Sequence, residues 1–290
     1  MTTMPLFRLE KWSDAAGFLG KATSFLQERE DSNAVVLGVA QRIAETPDFP
    51  TNDCFFGLVY ADTQPVAAAL RTPPRGAAVT SGPKEALRLL ADAIREQYGH
   101  IPGVNGPLDA VESFASRWCE CTGQGTQVAQ EMRIHRLDVM QPLTLASGIL
   151  RRAGPGDVAI VSSWLEQFGE DTGLPPGPSK EDVVRLLARP DPPYYFWSRD
   201  DQPVAMAAWS RPTGKGITVN AVYTPREQRG KGYATAVVHT LSALLLERGF
   251  RFCTLYTDLA NPVSNAIYAR IGYEPVEDAR RVEFIDASDS

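Results

Sequence analysis

The chain has 290 residues, 43% of them apolar, which allows one large or two modest domains and a core of ordinary size. Its 29 basic and 35 acidic side chains leave a net charge of −6, a balance that argues against non-specific attachment to nucleic acid or to anionic membranes. There is no apolar run of about 18 residues and no charged-then-apolar leader from Met1 to Ala15, so neither a membrane span nor a cleaved secretion signal is expected, and a cytoplasmic protein is.

In chain order, Phe55 to Tyr60 reads as a strand and Gln64-Pro65-Val66-Ala67-Ala68-Ala69-Leu70 as the next one. Pro83 to Tyr98 carries Ala86, Leu90, Ala93 and Ile94 on one side and is expected to be helical. Ile101 to Val104 follows as a short strand, Leu108 to Trp118 as a helix, and Glu131 to Val139 as a strand before a joint at Gln141-Pro142. Cysteines 54, 119, 121 and 253 lack the spacing of a metal site and are expected to be reduced thiols. Glu170-Asp171 is expected in a solvated loop ahead of Pro175-Pro176, and Tyr194 to Trp197 in a buried strand. The segment Gln202-Pro203-Val204-Ala205 then repeats Gln64-Pro65-Val66-Ala67, each copy preceded by an apolar strand, which points to two related units. Ala287 to Ser290 reads as a frayed tail.

The most informative stretch follows. Ile217 to Tyr223 is rich in β-branched and aromatic residues, and Thr224-Pro225 ends it as a strand. Thr-Pro-Arg-Glu-Gln-Arg-Gly-Lys-Gly-Tyr-Ala-Thr, from Thr224 to Thr235, leads into a helix with Val237, Leu241, Leu244 and Leu245 in one stripe, closed by Gly249. A glycine-bearing turn at a helix start leaves backbone N–H groups without intrahelical partners, a ready site for phosphate or diphosphate. Glycine also serves such joints for steric reasons alone. No Gly-Lys-Ser/Thr follows a four-residue spacer and no third glycine is present, so P-loop and dinucleotide classes drop out.

Arg229, Gly232 and Ala234 fit the pattern Arg/Gln-x-x-Gly-x-Gly/Ala, and Asn261-Pro262-Val263-Ser264-Asn265-Ala266-Ile267-Tyr268-Ala269-Arg270-Ile271-Gly272-Tyr273 supplies a second element in the right order. With these two motifs the sequence resembles the GNAT superfamily of acetyl-CoA-dependent N-acetyltransferases. The resemblance is strong from Ile217 to Tyr273. It implies a fold of the α/β (α+β) kind, a mixed, mostly antiparallel sheet flanked by helices, in which two parallel strands, Ile217–Tyr223 and Phe250–Thr257, splay apart. It also implies acetyl-CoA as cofactor, held by the backbone at Val222 and Thr224, by Arg229, Gly230, Lys231, Gly232, Tyr233, Ala234 and Thr235, and by Asn261 and Ser264. Tyr268 would be the general acid that protonates the departing thiol, and a strand N–H, that of Val222, would stabilise the developing oxyanion.

Read from the residues alone, Asn261 is a helix cap for Pro262, and Tyr268 an aromatic on a polar helix face with Ser264, opposite an apolar face of Val263, Ala266, Ile267 and Ile271. No general base is evident: Asn220 stands where some relatives carry a carboxylate, and ordered water, Asp258, Glu170 or Asp171 stay open. His239 reads as a helix-surface residue. The chain divides into residues 1–142, a degenerate GNAT-like domain without the glycine turn or, alternatively, an unrelated lid, and residues 146–290, the acetyltransferase domain. The expected activity is acetyl transfer to a primary amine of a small molecule or peptide. The alternative is an acyl-CoA sensor or interaction module without turnover.

Overall fold

The computed structural model describes residues 5–47, 49–174 and 177–286, so the expected tail and the Pro175-Pro176 pair lie outside the described residues. The first half supplies β1 (Phe7–Trp12), α1 (Ala15–Glu28), α2 (Ala34–Ala44), β2 (Phe55–Ala61), β3 (Gln64–Arg71), β4 (Ala77–Val79), α3 (Lys84–Tyr98), β5 (Gly103–Pro107), α4 (Leu108–Thr122) and β6 (Gly125–Leu137). The second supplies β7 (Ile149–Arg152), α5 (Val158–Thr172), α6 (Lys180–Leu187), β8 (Tyr194–Arg199), β9 (Gln202–Ser210), β10 (Gly216–Tyr223), α7 (Tyr233–Glu247), β11 (Phe252–Asp258), α8 (Pro262–Ile271) and β12 (Glu274–Ile285). These elements form two compact units. One holds the chain through Ile134 together with Thr257–Asn261 and the segment from Pro275; the other holds His135–Tyr256 and Pro262–Glu274.

In the first unit the strand order is β1-β2-β3-β4-β5-β12-β6, and in the second β11-β10-β9-β8-β7. β1–β2, β2–β3, β3–β4, β5–β12, β7–β8, β8–β9 and β9–β10 pair antiparallel, whereas β4–β5 and β10–β11 pair parallel. Each unit is therefore the expected mixed, mostly antiparallel sheet with helices.

The two Gln-Pro-Val-Ala segments are β3 and β9, the second strands of equivalent hairpins. In both, the register shifts beside the proline, with Tyr60 opposite Pro65 and Ser198 opposite Pro203. Proline cannot donate to the ladder, and a bulge is where the missing N–H costs least. The turns are made by aspartates with left-handed backbone, Asp62 at φ 53° in one and Asp200 and Asp201 at 49° and 59° in the other.

The units do not follow one cut in the chain. β12 pairs with β5 from Ala279 opposite Pro107 to Glu283 opposite Gly103, and it buries Val282 and Phe284 with the residues under α3 and α4. Phe284 stacks on Trp118 with ring centroids 5.1 Å apart. A division at 142 and 146 leaves this strand with the second half of the chain, whereas its backbone pairing and apolar face place it in the first unit. Phe284→Ala is accordingly expected to destabilise the protein by about 3–5 kcal/mol in urea unfolding, as loss of a large buried ring does. Val263→Ala, at a side chain exposed to solvent, should change stability by less than about 0.5 kcal/mol in the same assay.

Candidate functional site

The second unit's parallel strands are joined over a short length only. β10 and β11 pair at Gly216–Phe252, Ile217–Cys253 and Thr218–Thr254, and the pairing stops there. At the stopping point the buried hydroxyls of Thr218 and Thr254 lie 3.0 Å apart in a hydrogen bond. On its other edge β10 is regular to Asn220, opposite Ala208, and then shifts so that Tyr223 faces Met206. Ala221 takes a φ of 47° inside that irregularity. A bulge of this kind turns the backbone of the bulged strand, here at Ala221 and Val222, away from the ladder direction.

After Tyr223 the chain makes a short turn at Arg226–Gln228 and enters the glycine segment. Gly230 and Gly232 adopt φ values of 75° and 81°, conformations that glycine reaches without a steric penalty. A Cβ on Gly232 would meet only the Ala146 Cβ, at 3.7 Å, so backbone conformation rather than crowding calls for glycine there. From Gly230 through Thr235 no backbone N–H donates to a backbone carbonyl among the described residues; the first bond of α7 runs from Ala236 N–H to the Gly232 carbonyl, 3.0 Å. A run of free N–H groups at a helix start, shaped by positive-φ residues, is an anion nest reinforced by the helix dipole. Arg229, Gly230, Lys231 and Gly232 are exposed, Ala234 is half-buried, and Tyr233 and Thr235 are buried beneath them.

The cations of this loop are turned back onto the protein. Arg229 donates through Nε to the Thr224 carbonyl, 3.0 Å, and its Nη2 pairs with Asp171. Arg226 Nη2 reaches the other oxygen of Asp171 at 2.9 Å. Lys231 Nζ donates to the Glu227 carbonyl and to Gln228 Oε1, each at 3.0 Å. Arg199, at the end of β8, donates to the Tyr233 hydroxyl at 3.1 Å. The Thr224 hydroxyl is buried with no hydrogen-bond partner among the described residues.

Asp171 thus lies not in a solvated loop but in the last turn of α5, and the two guanidinium groups hold its carboxyl below the usual carboxylate range. That makes it a poor proton acceptor. Asp258 accepts the Ala260 N–H at 2.7 Å, and the Asn220 amide donates to Ser210 Oγ at 2.8 Å. α5 also meets the end of β10, where the Tyr223 hydroxyl donates to Gln167 Oε1 at 2.7 Å. His239 is on the surface of α7, its Nε2 3.2 Å from the Gln141 carbonyl.

In α8 the expected faces hold only in part. Ile271 is buried and Ile267 half-buried as expected, but Val263 and Ala266 are exposed, while Tyr268 is buried and Ser264 half-buried. The reason is aromatic packing: Tyr268 meets Tyr273 edge-on, centroids 6.0 Å apart, within the core that α7 covers. The Tyr273 hydroxyl is paired with Ser242 Oγ at 2.8 Å, whereas the Tyr268 hydroxyl makes no hydrogen bond among the described residues. Burial pushes the Tyr268 phenol well above its ordinary pKa, so it keeps its proton at neutral pH. Gly272, at φ 113°, ends α8 with its N–H on the Tyr268 carbonyl, 3.2 Å. Asn261 is exposed and packs in the Thr257–Asn261 segment of the first unit, its N–H on the Asp258 carbonyl at 3.0 Å.

The first unit has the same strand pair without the nest. β4 and β5 are parallel at Ala77–Val104 and Ala78–Asn105. Its α3, however, starts from Pro83, which has no N–H to offer, and a Cβ on the preceding Gly82 would fall 2.6 Å from both the Val66 carbonyl oxygen and the Ala67 Cβ.

Residues 159–273 match the model of the acetyltransferase (GNAT) family. The match covers the second unit's glycine loop, α7 and α8. No curated protein sequence matches the chain. Among solved structures, a GCN5-related N-acetyltransferase from Sphaerobacter thermophilus is 18% identical, with 99% of each chain covered and a TM-score of 0.62. A tandem GNAT protein from the clavulanic acid biosynthesis pathway, solved without AcCoA, is 12% identical over 97% of this chain and 99% of its own, TM-score 0.57. A GNAT-family acetyltransferase from Colwellia psychrerythraea is 12% identical over 96% and 99%, TM-score 0.55. These likenesses span both halves of the chain, so the fold is a tandem of GNAT-like units. No described helix is long and apolar enough to cross a membrane, and no group of His, Cys, Asp and Glu among the described residues could hold a metal ion.

The threonine clasp gives a test of the strand geometry. Thr218→Val should cost about 1–3 kcal/mol in chemical denaturation, because it leaves the buried Thr254 hydroxyl unpaired. The Thr218→Val/Thr254→Val double variant should recover most of that loss, since both polar partners are then gone.

Proposed function

We propose that the GNAT domain transfers an acetyl group from acetyl-CoA to a primary amine of a small molecule or peptide by direct attack on the thioester. The observation that carries this reading is the unbonded N–H run from Gly230 to Thr235 beside two strands that part after Thr218 and Thr254. Those donors suit a diphosphate, and the parted strands offer backbone groups to an amide-bearing arm. When bound, acetyl-CoA would supply the acetyl thioester and a thiol leaving group.

The chain's own residues then take definite parts. The N–H groups of Gly230, Lys231, Gly232, Tyr233, Ala234 and Thr235 hold the diphosphate, and the backbone at Val222 and Thr224 pairs with the pantetheine amides. The Val222 N–H stabilises charge developing on the carbonyl oxygen. Tyr268, protonated because it is buried and with its hydroxyl uncommitted, gives its proton to the departing sulfur. Ser264, one turn earlier on α8, lies on the same helix face. The amine loses its proton to water, since Asp171 is held as a carboxylate by two arginines. The nest belongs to the second unit alone, so the first unit is assigned no cofactor.

Acetyl-CoA at about a hundredfold excess over its dissociation constant should add about 2.7 kcal/mol to stability and raise the Tm. Gly232→Asp sets a carboxylate against the diphosphate and should abolish that rise; an undiminished rise would discard the assignment of the loop.

An amine screen for thiol release identifies the acceptor, and binding of acetyl-CoA with no release for any amine would favour a sensor. With the acceptor known, Tyr268→Phe should lower kcat by about 10²–10⁴-fold with little change in acetyl-CoA affinity. The sign with pH follows from the raised pKa: the acid is present at all pH values below it, so Tyr268 itself should cause no fall in kcat between pH 7 and pH 10. An unchanged kcat in Tyr268→Phe, where the chemical step limits the rate, would leave Tyr268 a packing residue.

A further inference from the structure

Asp171 occupies an unfavourable place for a carboxylate. It ends α5, where the helix dipole is already negative, and no basic residue of the last turn offsets it. What compensates is outside the helix: Arg226 Nη2 at 2.9 Å on one oxygen and Arg229 Nη2 on the other. Both arginines belong to the segment that leads into the N–H nest, and Arg229 is the residue immediately before Gly230.

We propose that Asp171 is an internal counter-anion for the phosphate loop, holding Arg226 and Arg229 in the cofactor-free protein and competing with a bound diphosphate for Arg229. This rests on the reading of the loop as a diphosphate site. The loop does not need Asp171 for its shape. Gln228 N–H bonds the Pro225 carbonyl at 2.8 Å, Arg229 N–H the Arg226 carbonyl at 3.3 Å, and Lys231 Nζ the Glu227 carbonyl at 3.0 Å, while Gly230 and Gly232 set the turn. Asp171 therefore contributes charge rather than form. Its negative charge repels an incoming diphosphate and occupies the guanidinium of Arg229, the residue next to the nest, and both effects lower affinity. Arg229 keeps its Nε on the Thr224 carbonyl in either state, so exchange of partners needs only the outer edge of the guanidinium to turn from carboxylate to phosphate.

The coupling also has a mechanical side. α5 is tied to the end of β10 by Gln167 and Tyr223 and to the loop by Asp171. Cofactor that takes Arg229 leaves Asp171 tied to the loop by Arg226 alone, so the last turn of α5 becomes freer when the loop is filled.

The test uses the full chain in calorimetry at fixed ionic strength, with acetyl-CoA and inorganic pyrophosphate as probes. Asp171→Asn, with the Tm of the ligand-free protein checked, should bind both about fivefold tighter, the scale of losing exposed ion-pair competition. Asp171→Glu should keep wild-type affinity. Asp171→Asn/Arg229→Gln should bind no tighter than Arg229→Gln alone. Independently of any variant, hydrogen exchange in residues 168–172 of the wild-type protein should quicken when acetyl-CoA is added. Unchanged or weaker binding by Asp171→Asn, a gain that persists without Arg229, or unaltered exchange in those residues would overturn the proposal. Wild-type protein that binds neither probe would remove the diphosphate reading and this inference with it; binding that ignores Asp171 would remove the inference alone.

Discussion

Two parallel strands that stay together for three residue pairs and then part are the constraint on which the rest of the second unit depends. Parallel pairing normally continues as long as both strands have backbone to offer. Here the bulge at Ala221 turns β10 off the ladder just beyond the last pair, where the Thr218 and Thr254 hydroxyls hydrogen-bond each other and clasp the strands. The divergence sets where α7 can start, because the chain must leave the end of β10 and return over the sheet. It also leaves the β10 backbone beyond Thr218 without a β11 partner in the segment that runs on to the helix start.

The two units show how little separates a phosphate site from its bare frame. Both have a hairpin with a proline-bearing second strand, a short parallel pair and a crossover helix. In the second unit the crossover helix begins after Gly-Lys-Gly, with both glycines at positive φ and a run of N–H groups unbonded. In the first it begins at Pro83, and Gly82 is pressed against the Val66 and Ala67 backbone and side chain. The difference is conformational before it is chemical: the nest needs left-handed backbone at alternate positions, and the sequence Ser81-Gly82-Pro83 does not provide it.

Much of this was legible in the sequence because the signals are local. A strand rich in β-branched residues, a glycine turn and an apolar helical stripe fix β10, the loop and α7 without any knowledge of packing. The Gln-Pro-Val-Ala repeat likewise marks two hairpins because proline is confined to bulges and edges. Other features depend on partners remote in the chain. α5 ends in Glu170 and Asp171, the wrong charge for a helix C-terminus, so local rules read a loop; Arg226 and Arg229, which make the carboxylate tolerable, come only with the fold. β12 reads as part of the unit that precedes it, yet its apolar face fits beside Trp118. Nothing in residues 274–285 by themselves specifies which sheet edge they complete.

The burial of Tyr268 in α8 has the most bearing on chemistry. Helical periodicity groups Val263 with Ala266, Ile267 and Ile271 and leaves Tyr268 on the polar side, which would place the phenol in water with an ordinary acidity. Packing instead seats the Tyr268 ring against Tyr273 and exposes Val263. Tyr273 and Tyr268 then share a core but not a fate, because Ser242 takes up one hydroxyl and no described residue takes up the other. The Tyr268 oxygen is not among the buried polar atoms left without a partner, so the ring is packed while the hydroxyl keeps access to solvent. The packing thus accounts for the ring of Tyr268, while no described residue calls for its hydroxyl, which is consistent with the proton donor proposed above.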